Sequence, residues 1–597
     1  MPAADWTRVG AWTGGAVHGL ALSPRFAEDG IVLAATGAGL FRSEDGGQTW
    51  QRTGSMGYVA VRYVAFDPSG RAFAATQAGA LAVSTDGGSQ WRTSDAWGFG
   101  TINALAFAND EDGQAIIFAA TDEGIYRSPD GGVSWQSANF GLLDLEILCL
   151  ACAPDFAQSE VIWAGSAKGG LYRSRNGGRA WREAGHGLSD AAVQCLAFSK
   201  AGLLAGTDDG LFQLVEGGTW QIAGLEGLEV NCVADCDDVL LAGTTRGIFR
   251  ADAGLEWHPG DLNEPVLALV SAANGVALCG TAYTGVWRSE DRGRTWQRSN
   301  AGLSAHTPPI AARTGNGTML LANMLGSAAC SDDGVAWQPV STDDPLVSVA
   351  ASSSPHRPAF IAATERHVLA WEAGTNALLP LPAQPSLDED DAITALALNR
   401  DDILIGTRAG KAKMRIGGIW RDIALPGRGA VTRLQFTPAG GLFALRIIAK
   451  PKADAQFSAE VWRAPQLAAP DPDETVWSMV MALDGLHTPL ANLAVADRRI
   501  VLAAQNIIAY GYITEGQPVE MRRISVEPGI TFTGVAWYGE DVLLASNRGI
   551  LYVSSVTGAH RPIGETLVDV PVVALFVERD GIWAVTLGGE VWRYPVA

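Results

Sequence analysis

Histidine is scarce in this chain: 597 residues hold 8, scattered, and none stands beside a Ser or Cys in a nucleophile arrangement. No P-loop, dinucleotide fingerprint, His-Glu-x-x-His or Gly-x-Ser-x-Gly occurs, so no contiguous motif announces phosphate, nucleotide, zinc or acyl chemistry. Positive charge is short as well. The 43 Lys and Arg face 64 Asp and Glu, and the resulting −21 argues against nucleic acid or an anionic membrane as a general partner. No apolar run reaches about 18 residues, so membrane insertion is not expected. The opening MPAADWTRVG lacks a basic stretch followed by an apolar one, which predicts a cytoplasmic protein without a leader. The 7 cysteines are odd in number. Cys149, Cys195 and Cys232 recur in ILCLA, VQCLA and VNCVA and read as small buried residues of an inner strand, with thiols kept in a reducing compartment. Cys232 and Cys236 are four apart, but no second pair completes a zinc site, so neither metal nor cofactor is expected.

Glycine and tryptophan are plentiful, 70 and 20 residues, and they recur together. The stretch FRSEDGGQTWQR carries Ser43, Asp45, Gly47 and Trp50. The pattern returns as Ser84, Asp86 and Trp91, as Ser128, Asp130 and Trp135, and as Ser289, Asp291 and Trp296. Weaker copies end at Trp181 (Asn176 for the acid), Trp257 (Asp252, Gly254) and Trp337 (Asp332, Gly334), and a collapsed one at Trp220. Each copy reads as a hairpin whose Asp-Gly-Gly is turn chemistry and whose Trp buries its ring on the sheet. An acid repeated in so many copies serves structure.

A second marker, a short inner strand of the form h-x-x-L-A-x, ends at Ala21, Ala65, Ala106, Ala151, Ala197, Ala234, Ala268, Ala312, Ala350, Ala397, Gln435, Ala494, Ala536 and Ala574. The mean spacing is about 43 residues, the length of a four-stranded propeller blade. The sequence therefore predicts an all-β chain of two tandem seven-bladed β-propellers. Residues 1–305 form the first and 306–597 a second, degenerate one. The last repeat lacks a fourth strand, and residues 5–9 resemble it, so the N-terminal strand is expected to close the last blade.

The Ser-x-Asp-x-Gly-x-Thr-Trp motif resembles the Asp-box, or BNR, repeat of sialidases, sortilin-type receptors, two-propeller xyloglucanases and the photosystem II assembly factor. The resemblance implies a structural loop between the third and fourth strands of each blade and says little about activity. Sialidase chemistry needs converging arginines. Here Arg42, Arg127, Arg173, Arg250 and Arg288 share one repeat position and are expected on an exposed strand face. The xyloglucanase resemblance implies a catalytic Asp in the first repeat's Thr-Asp-x-Gly-Gly turn. This chain has Thr36-Gly37-Ala38-Gly39 there, and keeps the pattern at Asp122 and Asp208.

Two surfaces suggest a partner. Between Arg400 and Lys452 eleven cations, among them Arg408, Lys411, Lys413, Arg415, Arg421, Lys450 and Lys452, face three acids. That patch suits a protein with an acidic surface. Tyr58, Trp97, Phe99 and Phe140 precede inner strands in successive repeats and suggest an aromatic interface. The acidic run 388–391 lacks calcium-loop spacing and reads as a solvated loop. The reading favoured is a non-catalytic scaffold or assembly factor that binds protein. The alternative is a glycoside hydrolase of the two-propeller xyloglucanase type, acting in a cleft between propellers.

Overall fold

The computed structural model describes residues 5–188, 191–252, 255–342, 344–352, 359–372, 376–399, 402–437, 440–450, 456–465, 475–496, 498–513 and 519–596. Among them lie fourteen four-stranded antiparallel sheets, and the fourteen inner-strand markers all fall on the first strand of a sheet. We number the sheets as blades 1–14 from Val17 onward and letter their strands a to d. The chain divides into two units, Thr13–His306 and Met1–Trp12 with Thr307–Ala597. In the first unit, the inner strands adjoin in order and Val266–Ser271 of blade 7 packs on Val17–Leu22 of blade 1. The second unit closes alike, with Val572–Glu578 of blade 14 beside Ile310–Arg313 of blade 8. Each unit is a seven-bladed β-propeller.

The b strands explain why the blades stack. Segments such as VLAAT (Val32–Thr36), AFAAT (Ala72–Thr76) and IWAGS (Ile162–Ser166) are buried at every position, because both faces meet a neighbouring sheet. The core therefore sits between blades. Val17, Val32, Ala34, Phe41 and Trp50 of blade 1 pack with Ala268, Leu278 and Val286 of blade 7. Two single helical turns, Phe26–Asp29 and Phe156–Ser159, lie in a–b connections, each burying its Phe. The shared Pro-x-Phe-Ala pattern was their sequence signal.

The second ring is closed by its N-terminal strand. Thr7–Ala11 supplies strand d of blade 14, pairing antiparallel with Glu590–Tyr594. Trp6 is buried, donates Nε1–H to the Ile563 carbonyl at 2.7 Å and lies 5.3 Å from the Tyr594 ring. Asp5 caps the Glu565 and Thr566 amides. The chain passes between units at Trp12–Thr13 and at His306–Thr307. In the first ring the entering backbone, Gly14–Gly15, pairs parallel with Ser304–Ala305. A Cβ on Gly15 would stand 2.3 Å from the Ala305 carbonyl carbon, so this seam requires glycine.

Candidate functional site

In an a–b–c–d meander the b–c turns and d-to-a connections share one end of the blade, and the a–b and c–d loops the other. The repeated acids occupy the c–d loops. Ser43 Oγ donates to Asp45 Oδ1 at 2.7 Å and accepts the Gly47 amide, while Asp45 accepts the Gln48 and Thr49 amides and the Thr49 hydroxyl. Ser84 and Asp86, Ser128 and Asp130, and Ser289 and Asp291 repeat the serine–carboxylate bond and the amide bonds. Burial alone would raise the Asp130 and Asp291 carboxyls, but the surrounding donors outweigh it and bring both down to about 2. Asn176 replaces the acid with its amide oxygen accepting from Ala180. In the copy ending at Trp337, Asp333 takes the loop bonds, whereas Asp332 accepts from Thr318 across the sheet. Asp252 pairs with Arg250, and Gly254 lies outside the described residues.

The tryptophans and arginines of these loops stitch blades together. Trp50, Trp181, Trp220 and Trp257 donate Nε1–H to carbonyls of the preceding blade, Ser299, Ala138, Ala184 and Ala223. Trp91 and Trp296 bond within their own loops. Arg42, Arg250 and Arg288 were expected on an exposed face, yet each reaches a carbonyl of the next blade, Gly87, Arg292 and Gly46, and is about 15% exposed. Their convergence is on backbone, between blades.

Carboxylates at the opposite end have different surroundings. Thr121 and Gly124 pair across a two-residue b–c turn, so Asp122 and Glu123 project from its tip, both exposed. Thr101 donates its amide to Asp122 Oδ1 at 2.7 Å and fixes that side chain to the connection that enters the same blade. Asp208 and Asp209 occupy the same turn of blade 5, exposed, with Thr207 Oγ1 accepting the Asp209 amide.

The axis of the first ring holds a cavity of about 520 Å³. Its polar lining is one repeated device. Every a strand of this ring carries a β-bulge at its second residue, between Val17 and Gly19 and at the six equivalent places. The extra residues, His18, Arg62, Asn103, Leu148, Gln194, Asn231 and Leu267, line the cavity, one per blade. Asn103 and Asn231 donate their amide nitrogens to the first carbonyl of the next a strand, Ile147 and Val266, at 2.8 and 2.9 Å. Cys149 makes the corresponding contact to Val193. Burial pushes the Cys149 and Cys232 thiols well up and Cys195 to about 12, so they stay protonated. All seven cysteines are free.

The basic segment is offset by acids from elsewhere in the fold. Arg408 pairs with Glu365, Lys411 with Asp388, Lys413 with Asp422 and Lys450 with Asp484. Two of those partners precede the segment and one follows it, which is why counting charges along the chain overstated the patch. Arg415 and Arg421 lie on neighbouring strands of blade 10, and Lys452, with Arg400 and Asp401, falls outside the described residues. The aromatic surface is also not formed as expected. Trp97 is buried edge-on against Tyr126 and Trp135, Phe99 stacks on Tyr126 at 4.3 Å, and Tyr58 lies under the Arg52 guanidinium. Phe140 alone of the four is exposed, at 79%, with Leu143 at 77% beside it in sequence.

No protein-family model and no curated protein sequence matches this chain. Solved structures resemble it over its whole length. An ancestral GH74 enzyme aligns with TM-score 0.67 and 15% identity, covering 100% of this chain and 99% of its own. The GH74 enzyme of Niastella koreensis aligns at 0.54 and 14%, covering 99% of each. PorZ, a bacterial surface component of the type-IX secretion system of Porphyromonas gingivalis, aligns at 0.59 and 12%, covering 99% of this chain and 87% of PorZ. Two expectations are thereby corrected. The non-enzyme reading gives way, because the same full-length architecture belongs to GH74 enzymes. Propeller sites are gathered from loops distant in sequence, so a missing contiguous motif had no power to exclude catalysis. The cytoplasmic reading is withdrawn, because PorZ, alike over the whole of this chain, is a bacterial surface component. Four of the thiols are buried and three half-buried, and thiols held protonated need no reducing compartment to stay free.

Proposed function

We propose that this chain is a glycoside hydrolase of the two-propeller, Asp-box type. One observation carries the reading: Asp122 sits in a Thr-Asp-x-Gly turn of the first ring, held by the Thr101 amide, with the Asp208–Asp209 turn at the same end of the blades. Glycosidic cleavage needs two carboxyl groups on rigid supports, one to protonate the leaving oxygen and one to act as nucleophile or to activate water. Two-residue turns between buried strands supply that rigidity. The departure at Thr36-Gly37-Ala38-Gly39 moves the acid from blade 1 to blades 3 and 5. The full-length likeness to GH74 enzymes supports the class of reaction.

The test is release of reducing ends from xyloglucan and related β-glucans by the purified chain and by Asp122→Asn, Asp208→Asn and Asp209→Asn. A catalytic carboxyl would lose on the order of 100-fold or more in kcat. Activity equal in all three variants, or none on any glucan, overturns the assignment. A protein contact is a second reading, favoured by the exposed Phe140 and Leu143. Phe140→Ser with Leu143→Ser would then abolish association while leaving glucan cleavage unchanged.

A further inference from the structure

We infer that the axial cavity of the first ring binds a sugar acid, a small polyhydroxylated carboxylate. The inference concerns a different site from the turn carboxylates and stands whether or not a glycan is cleaved.

Charge comes first. In a chain of net charge −21, no carboxylate lines this cavity, while Arg62 and His18 stand on adjacent blades within it, both water-exposed. Among the described residues Arg62 has no carboxylate partner, unlike Arg42, Arg250 and Arg288, which are each paired with an acid. His18 reaches solvent, yet desolvation by the crowded wall of the ring and the nearby Arg62 charge both lower its pKa, which favours the neutral imidazole with its one N–H donor. A guanidinium without a carboxylate partner, on the wall of an axial cavity, is a seat for a planar carboxylate.

The rest of the ring sets the remainder of the ligand. Asn103 and Asn231 each use one amide N–H on the carbonyls of Ile147 and Val266, which leaves each an amide oxygen and a second N–H. An amide with both a free acceptor and a free donor suits hydroxyl groups, which do both. Gln194 adds a donor and an acceptor, and Leu148 and Leu267 give apolar contact for C–H faces. One cation and three amides around about 520 Å³ match a carboxylate bearing several hydroxyls, of one or two sugar rings. The bulges hold this pattern rigidly, because each is locked in the a–b ladder of its own blade, which packs between two neighbouring blades.

Isothermal titration of the full chain with D-glucuronate and D-galacturonate tests the site, with D-glucose and inorganic phosphate as comparison probes. Saturable uronate binding is expected, weakened at least tenfold by Arg62→Gln and by Gln194→Glu, with glucose much weaker. Arg62 is exposed and Gln194 half-buried at the cavity lining, so neither change empties the core, and an unshifted melting temperature verifies this. No uronate binding, or binding unaltered in Arg62→Gln, overturns the proposal. Phosphate binding as tight as glucuronate overturns the sugar-acid assignment.

Discussion

The two rings solve the same problem, holding an outer strand in place, by different means. In the first, strand d is two or three residues long in every blade, as in Gln51–Arg52 and Trp220–Ile222. The loop before it supplies side-chain bonds and a buried Trp instead. In the second, strand d lengthens to Ile419–Ile423, Ser478–Leu486 and Glu520–Ser525, and the bonded loop survives at Ser331–Asp333. Inner strands differ in parallel. The bulge recurs in all seven blades of the first ring, but in the second it is confined, among the described residues, to blades 10, 11, 13 and 14. Backbone ladder and side-chain loop are thus interchangeable supports. Only the ring that kept the loop also kept a uniform axial lining.

The largest way to break this comparison is at the closure. Trp6→Ala removes a buried ring and its bond to Ile563 and should cost the second ring about 3–5 kcal/mol. Trp50→Ala should cost the first ring a similar amount, and denaturant unfolding followed ring by ring would show each loss confined to its own propeller. Next in size is the loop carboxylate. Asp291→Ala should cost about 1–3 kcal/mol and Asp291→Asn less, since Asn176 already serves in blade 4. The same carboxylates give a pH signature. Their folded pKa of about 2 lies below the unfolded value, so their contribution is complete above about pH 4 and is lost as pH falls toward 2. Replacing Asp130 and Asp291 by Asn should flatten that acid limb of the first ring's stability. Smallest is the exposed pairing of the second ring: Lys411→Ala should leave the unfolding midpoint of that ring nearly unchanged in the same measurement, because solvent screens the Lys411–Asp388 pair.

Fold was legible in the sequence because it is periodic. The inner-strand marker recurs in all fourteen blades, with Ala in every one but blade 11 (Gln435), even where the acid is lost, and the N-terminal strand announced itself by likeness to a d strand. What the sequence concealed depended on partners far along the chain. Lys450 looks free until Asp484 is beside it, and Arg288 looks exposed until its guanidinium meets Gly46, which lies in blade 1. Asp332 and Asp333 could not be ranked without knowing which one faces the loop amides. The axial lining was hidden for another reason. A bulge is a single extra residue, and His18, Arg62 and Gln194 share a place in the blade without sharing chemistry.

Pairing of Thr7–Ala11 with Glu590–Tyr594 also imposes an order on biogenesis. The first ring can close once residue 306 has left the ribosome, but the strand that finishes the second is made first and must wait for the last sheet to be translated. Until then an unpaired edge and the indole of Trp6 stay available to chaperones, and closure of the second ring becomes a single late event open only to chains that carry both segments.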